Sequence, residues 1–147
     1  MSNVAIIGAG YVGLTTAACL AHIGHNVTCA DIDENKISRL DDGEIPIHEA
    51  RLSELVQEGL SNQLLKFVVG AKRAITASEF VFLCLPTPQG EDGRADIGAV
   101  LDVVEEICQL VLPQTIIINK STVPIGTVAS IETAIQREDV SVVSNPE

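Results

Sequence analysis

Tryptophan is absent from the 147-residue sequence, and one tyrosine and three phenylalanines hold aromatic residues to 3%. A core here has to be built from Ala, Val, Ile and Leu rather than from large rings. Basic residues are scarce too: nine Lys and Arg stand against twenty Asp and Glu, a formal charge of −11. Such a chain gains nothing from counterion release on nucleic acid, and it carries no basic stripe. An anionic membrane surface would repel it. Any anionic ligand must be held by local features against the global field. No apolar run approaches the roughly 20 residues of a membrane helix. Met1-Ser2-Asn3 lacks the basic start of a secretory leader, so the expected location is the cytoplasm. Cys19, Cys29, Cys84 and Cys108 include no C-x-x-C pair, and each lies among apolar residues. They are expected to be buried, reduced thiols. His22, His25 and His48 show no metal-ligand spacing, and no metal site is expected.

What is present is the composition of a folded domain: 46% hydrophobic and 20% charged, long enough for one full core. Apolar runs rich in β-branched residues recur at 4–7, 26–30, 67–69, 80–85, 115–119 and 140–143. They are continuous rather than alternating, as in parallel strands covered on both faces. Helical patterns lie between them. One runs from Val12 to Ile23 and stops at Gly24; one is capped by Asp33 and runs to about Leu40. Others are marked by Leu52, Leu55, Val56 and Leu60, by Ile97 to Leu112 before Pro113, and by Gly126 to Gln136. The pattern predicts an α/β fold, a doubly wound, mostly parallel sheet of about six strands of Rossmann type.

In such sheets ligands bind beyond the carboxyl ends of the strands. After the first strand comes Gly8-Ala9-Gly10-Tyr11-Val12-Gly13, a G-x-G-x-x-G that follows a strand and opens a helix. That context suits a pyrophosphate: tight turn, close backbone approach, close helix packing, and a helix N-terminus facing the anion. Eighteen residues past Gly13, Asp31 ends the second strand, placed to accept hydrogen bonds from the adenosine ribose and to repel a 2′-phosphate. NAD is therefore expected over NADP. Lys36 can reach the same ribose, or can be an ordinary solvated helix lysine. Pro86-Thr87-Pro88 follows the strand at 80–85 and fixes Thr87 in an extended backbone. Lys120-Ser121-Thr122-Val123-Pro124-Ile125-Gly126-Thr127 follows the strand at 115–119. Its hydroxyls suit a helix cap and a nicotinamide site equally.

These stretches, with ADIDENKISRLDDGEIPIHE from Ala30, FLCLPTP from Phe82, DGRAD from Asp92 and SNPE from Ser144, run almost from end to end of the chain. Together they resemble the amino-terminal NAD-binding domain of the UDP-glucose/GDP-mannose 6-dehydrogenase family, and more closely its UDP-glucose members. The resemblance implies oxidation of a nucleotide-sugar C6 alcohol to the carboxylate, with two NAD used in turn and a cysteine-bound thiohemiacetal and thioester between them. It implies that Gly8, Ala9, Gly10, Tyr11, Val12 and Gly13 form the pyrophosphate loop, and that Asp31 and Lys36 hold the adenosine ribose. Thr87 and Thr122 would line the nicotinamide side. Thr122 would also help position a catalytic water, and Glu147 would assist the acid–base steps. Residues 1–147 would then be the NAD-binding domain, with the central helix and the carboxy-terminal sugar-nucleotide domain outside this chain. The family's nucleophilic cysteine belongs to that second domain, so this piece alone is expected to bind NAD without turnover. Full-length relatives of this kind are expected to be homo-oligomers.

The chain departs from the family where E-P-G-L is usual: it has Glu49-Ala50-Arg51-Leu52. That loop is expected to lie away from the motifs and leave cofactor binding unaffected. Two other readings stand beside this one. The cofactor domain of a β-hydroxyacid-type dehydrogenase would share the phosphate loop. A stand-alone NAD-binding module would be no enzyme at all.

Overall fold

Six parallel strands pair in the order β3-β2-β1-β4-β5-β6 in a computed structural model that describes residues 1–91 and 93–146. The order of elements is β1 (Asn3–Ile7), α1 (Tyr11–His22), β2 (Asn26–Asp31), α2 (Glu34–Asp41), α3 (Leu52–Ser61), β3 (Leu65–Val69), α4 (Ala71–Ala74), β4 (Phe80–Leu83), α5 (Gly98–Ile107), β5 (Ile116–Asn119), α6 (Thr127–Ile135) and β6 (Ser141–Ser144). Asp92 and Glu147 lie outside the described residues. The chain winds outward from β1 to β3, then returns to the other side of β1 as β4. The carboxyl ends of β1 and β4 therefore face connections that leave in opposite directions, which opens a crevice between them.

The continuous apolar runs behave as expected of strands covered twice. Ala5, Ile7, Val81, Leu83 and Ile117 face one core with Val100, Val104, Ile107, Ile131 and Ile135 from α5 and α6. Val4, Ile6, Val27, Cys29 and Phe67 face the other, against Leu14, Ala17, Ala18 and Ala21 of α1, Leu40 of α2 and Val56 of α3. Each fully buried Leu, Ile or Val contributes about 1.5–3 kcal/mol. Small α1 residues fit where rings would not: Gly59 of α3 approaches Ala21 closely, and a Cβ there would stand 3.4 Å from the Ala21 Cβ and 2.9 Å from that of Leu65.

Helix ends follow local chemistry. After α1, Gly24 has φ 97° and donates to Ala21 O, while His25 N–H donates to Leu20 O, a Schellman closure. Asp33 caps α2 by accepting from Asn35 and Lys36 N–H. Three details differ from the sequence reading. The four-residue α4 carries too little periodicity to be seen. The fifth helix ends at Ile107 rather than near Leu112. There the Arg137 guanidinium donates to the carbonyls of Cys108 and Val111, both at 2.9 Å, which satisfies the helix end without further turns. Of the four free cysteines, Cys29 and Cys108 are buried, but Cys84 is half-buried and Cys19 exposed. Cys19 sits on α1 outside the Leu14, Ala17, Ala18, Ala21 stripe that packs on the sheet.

Candidate functional site: the crevice above β1, β2, β4 and β5

Gly8 to Gly13 form the turn from β1 into α1. Gly8 has φ 104°, and a Cβ on it would lie 2.3 Å from Cys84 O. A Cβ on Gly13 would lie 1.8 Å from Gly8 O, so strand, turn and helix touch without side chains between them. Gly10 is different: a Cβ there meets nothing within 4 Å. It borders the crevice, and its missing side chain leaves the backbone open to a ligand. Gly10 is also the N-cap of α1 and supplies no side-chain cap. A helix leaves its first four N–H groups without intrahelical partners and with partial positive charge, so this end suits an anion.

Asp31 ends β2 beside this turn. Its Oδ2 accepts from Ala9 N–H at 3.0 Å and from Lys36 Nζ at 2.8 Å, and its Oδ1 accepts from Asp33 N–H at 3.1 Å. Burial alone would push this carboxyl up, but the hydrogen bonds from Lys36, Asp33 and Ala9 outweigh it and hold it below its ordinary value. Asp31 thus stays ionised. The α2 cap is supplied by Asp33, not by Asp31. Ala9, expected among the phosphate-loop residues, spends its N–H on Asp31. Its contribution is to tie the turn to β2.

The crevice is about 920 Å³, within the roughly 300–1,000 Å³ range of cofactor sites. Gly10, Asp31, Lys36, Gly70, Leu85 and Val103 are among the residues that line it. Tyr11 and Val12 line it too. Open space at Gly10, a helix N-terminus without a side-chain cap and a fixed carboxylate at the end of β2 suit an extended dinucleotide. The pyrophosphate would meet the turn and a ribose would meet Asp31 and Lys36.

Contrary to the sequence reading, the Glu49 loop does not lie away from the motifs. Tyr11 Oη donates to Glu49 Oε2 at 2.7 Å, so the loop touches the glycine turn. The long connection between α2 and α3 packs back, with Ile45 and Ile47 against the core under α1, and this brings Glu49 to Tyr11. Arg51 there has φ 65°, a left-handed conformation that strains a side chain other than glycine.

After β4, Leu85 and Pro86 line the crevice; Thr87 and Thr122, from the loops after β4 and β5, are not among the lining residues. Thr87 Oγ1 donates to Thr122 O at 2.8 Å, so the two threonines meet from different loops. Neither the Ser121 nor the Thr122 hydroxyl caps α6, whose N-cap is Gly126 with no side-chain bond. Ser121 has a role that neither of the two sequence readings of its hydroxyl foresaw. Its hydroxyl donates to Leu85 O at 2.7 Å and accepts from Leu85 N–H at 3.0 Å, which holds the Leu85-Pro86-Thr87 segment against β5. The available signal was a serine two residues past the end of an apolar strand. The expected role of Glu147 lies outside the described residues. Among the described residues no group of three or more His, Cys, Asp and Glu could hold a metal ion.

The sequence model for the NAD binding domain of the UDP-glucose/GDP-mannose dehydrogenase family matches residues 2–147. The chain is 43% identical over 150 residues to the UDP-glucose 6-dehydrogenase of Rhizobium meliloti, covering 99% of this chain and 34% of that protein. It is 40% identical over 152 residues to that of Bacillus subtilis, covering 100% of this chain and 33% of the relative. It therefore spans about a third of the length of these relatives. Among solved structures, a GDP-mannose dehydrogenase from Pseudomonas aeruginosa superposes with a TM-score of 0.89 at 32% identity, over 99% of this chain and 36% of that one. A 3-hydroxyisobutyrate dehydrogenase from Mycobacterium tuberculosis, at 18% identity and a TM-score of 0.69, shares the fold alone. With this glycine turn, this carboxylate and this match over residues 2–147, the chain belongs to the UDP-glucose/GDP-mannose dehydrogenase family and comprises its NAD-binding domain.

Proposed function

We propose that residues 1–147 are the cofactor-binding part of a longer enzyme that oxidises the C6 alcohol of a nucleotide sugar, UDP-glucose or a close relative, to the carboxylate. Two NAD accept the hydrides in turn; the cofactor supplies the redox chemistry, and this chain binds and orients it. The α1 N-terminus and the turn at Gly8, Gly10, Tyr11, Val12 and Gly13 hold the pyrophosphate. Asp31 and Lys36 hold the adenosine ribose, and Thr87 and Thr122 flank the nicotinamide. Thr122 and Glu147 serve the reacting end, by positioning water and by moving protons. The central helix and sugar-nucleotide domain, with the nucleophile, complete the site in the longer protein, which works as a homo-oligomer in the cytoplasm. Neither nucleic acid nor membrane is a partner, in keeping with the −11 charge and with the lack, among the described residues, of a helix long and apolar enough to cross a membrane.

The observation that carries this reading is the crevice itself: open backbone at Gly10 beside the Asp31–Lys36 pair, 2.8 Å apart. The test is a titration of the 147-residue chain with NAD, followed by an assay with UDP-glucose. The expected outcome is saturable NAD binding without NADH formation, and two NADH per sugar from the longer protein. Turnover by the 147-residue chain, or absence of NAD binding to a folded chain, would overturn it.

A further inference from the structure

Lys36 stands where a helix least favours a cation. It is the third residue of α2, in the first turn, next to the positive end of the helix dipole. Its ammonium nevertheless folds back to Asp31 Oδ2 at 2.8 Å, with the lysine side chain 34% and the carboxylate 11% exposed. The charge of the crevice makes this placement informative. Asp31, Asp33, Asp102 and Glu106 line it, and Lys36 is the one cation among the described lining residues. Asp33 Oδ1 is committed to the α2 cap. Glu106 has its own cation in Lys72, 3.8 Å away. Without Lys36, Asp31 and Asp33 would face a ligand that already carries two phosphates with no ammonium beside them.

We propose that Lys36 is a specificity-determining residue of the cofactor site: paired with Asp31 it makes a neutral seat for an unmodified ribose diol, and released from Asp31 it becomes an acceptor for a 2′-phosphate. The inference rests on the NAD reading above and goes beyond it. The paired carboxylate and ammonium together offer acceptors and donors to two hydroxyls, and the carboxylate rejects a third phosphate. If Asp31 loses its charge but keeps its shape, the Lys36 ammonium remains as an unpaired cation at the same ribose position, while the α2 N-terminus stays occupied by its Asp33 cap. Selection against NADP then depends on the pairing of Lys36, not on a lack of cations in the site.

The test is equilibrium titration of the 147-residue chain with NAD and with NADP, for wild type, Asp31→Asn, Lys36→Met and the double variant, each checked for folding by circular dichroism. Wild type is expected to favour NAD. Asp31→Asn is expected to shift the NADP-to-NAD affinity ratio toward NADP by about ten- to a hundredfold, the size of a charge-assisted hydrogen bond. That gain should vanish in the double variant. A gain of equal size with and without Lys36 would reduce the effect to lost repulsion and overturn the proposal, as would no gain in a folded Asp31→Asn protein. Lys36→Met gives an independent reading that leaves the Asp33 cap intact: NADP binding should fall more than NAD binding, and equal losses overturn the proposal. Wild type that binds NAD while these shifts fail leaves the cofactor assignment standing. Folded wild type that binds neither dinucleotide removes both.

Discussion

The two halves of the sheet's carboxyl edge are built on different principles. Around β1, α1 and β2 the groups are close-packed and paired within the fold: Gly13 against Gly8, Ala9 N–H and Lys36 on Asp31, Asp33 on the start of α2. Around β4 and β5 the edge is made of loop tips. Thr122 is exposed, Ile125 is fully exposed, and the order comes from stitches such as Ser121 to Leu85 and Thr87 to Thr122 O. Beside them lies a more open hollow of about 590 Å³ lined by Arg94, Asp96, Ile125 and Gly126. The difference shows how one domain makes both a close-packed turn with an open helix N-terminus and a more adaptable surface. The first needs only backbone geometry and one fixed ion pair, whereas the second depends on side-chain contacts between separate loops.

The comparison breaks most severely at Gly13. Gly13→Ala forces a Cβ against Gly8 O, and equilibrium urea unfolding should show a loss of about 3 kcal/mol or more. Gly10→Ala meets no atom within 4 Å, so its unfolding curve should barely move while NAD binding weakens. Equal destabilisation by the two changes would mean that the turn is not close-packed in the way described.

Next in size is Asp31→Ala, which should weaken NAD by about 1.5–3 kcal/mol in a calorimetric titration. The pH dependence of folding has a definite sign. Asp31 has a folded-state pKa below its ordinary value, so its contribution is fully present above the unfolded value of about 3.9 and is lost as pH falls through the lower folded value. Unfolding free energies of wild type and Asp31→Asn should therefore differ by a constant amount at neutral pH and converge in acid. A difference that grows on acidification contradicts the pairing.

Ser121→Ala probes the other half. It removes the donor to Leu85 O and leaves Leu85 N–H without its partner, at a cost of about 1–3 kcal/mol in unfolding. Binding of ADP-ribose, which lacks the nicotinamide, should be unchanged. If it falls with stability, the halves are coupled rather than independent. The smallest effect is expected at Arg51, where glycine relieves the left-handed backbone: Arg51→Gly should stabilise by about 1 kcal/mol or less, because the gain is partly offset by a more flexible unfolded chain.

Much of the first half was legible in sequence because its signals are local. The glycine spacing, the carboxylate at the end of β2 and the Asp33 cap each act within a few residues or one β-α unit, and each has its expected place. Lys36 was ambiguous for the opposite reason: five residues from Asp31 in sequence, it is either solvated or paired depending on how α2 leaves the sheet. The hydroxyl-rich stretch after β5 was ambiguous too, and its pairing with the Pro86-Thr87-Pro88 segment joins Thr87 and Thr122, 35 positions apart in the chain. The reach of Glu49 to Tyr11, across 38 residues, left no periodic trace, and a loop without period was read as remote.

The sequence by itself determined the class of fold and the glycine turn between β1 and α1. Runs of Val, Ile and Ala without polar alternation demand burial on both faces, and a glycine turn between strand and helix has few other geometries. Tertiary structure alone decided which charges and hydroxyls meet. It brought Lys36 onto Asp31, Ser121 onto Leu85 and Glu49 onto Tyr11. Such pairings depend on how the strand order β3-β2-β1-β4-β5-β6 brings separate loops to one edge of the sheet. Hydrogen bonds reach only about 3 Å, so small changes in the packing of helices on the sheet settle which of these contacts form.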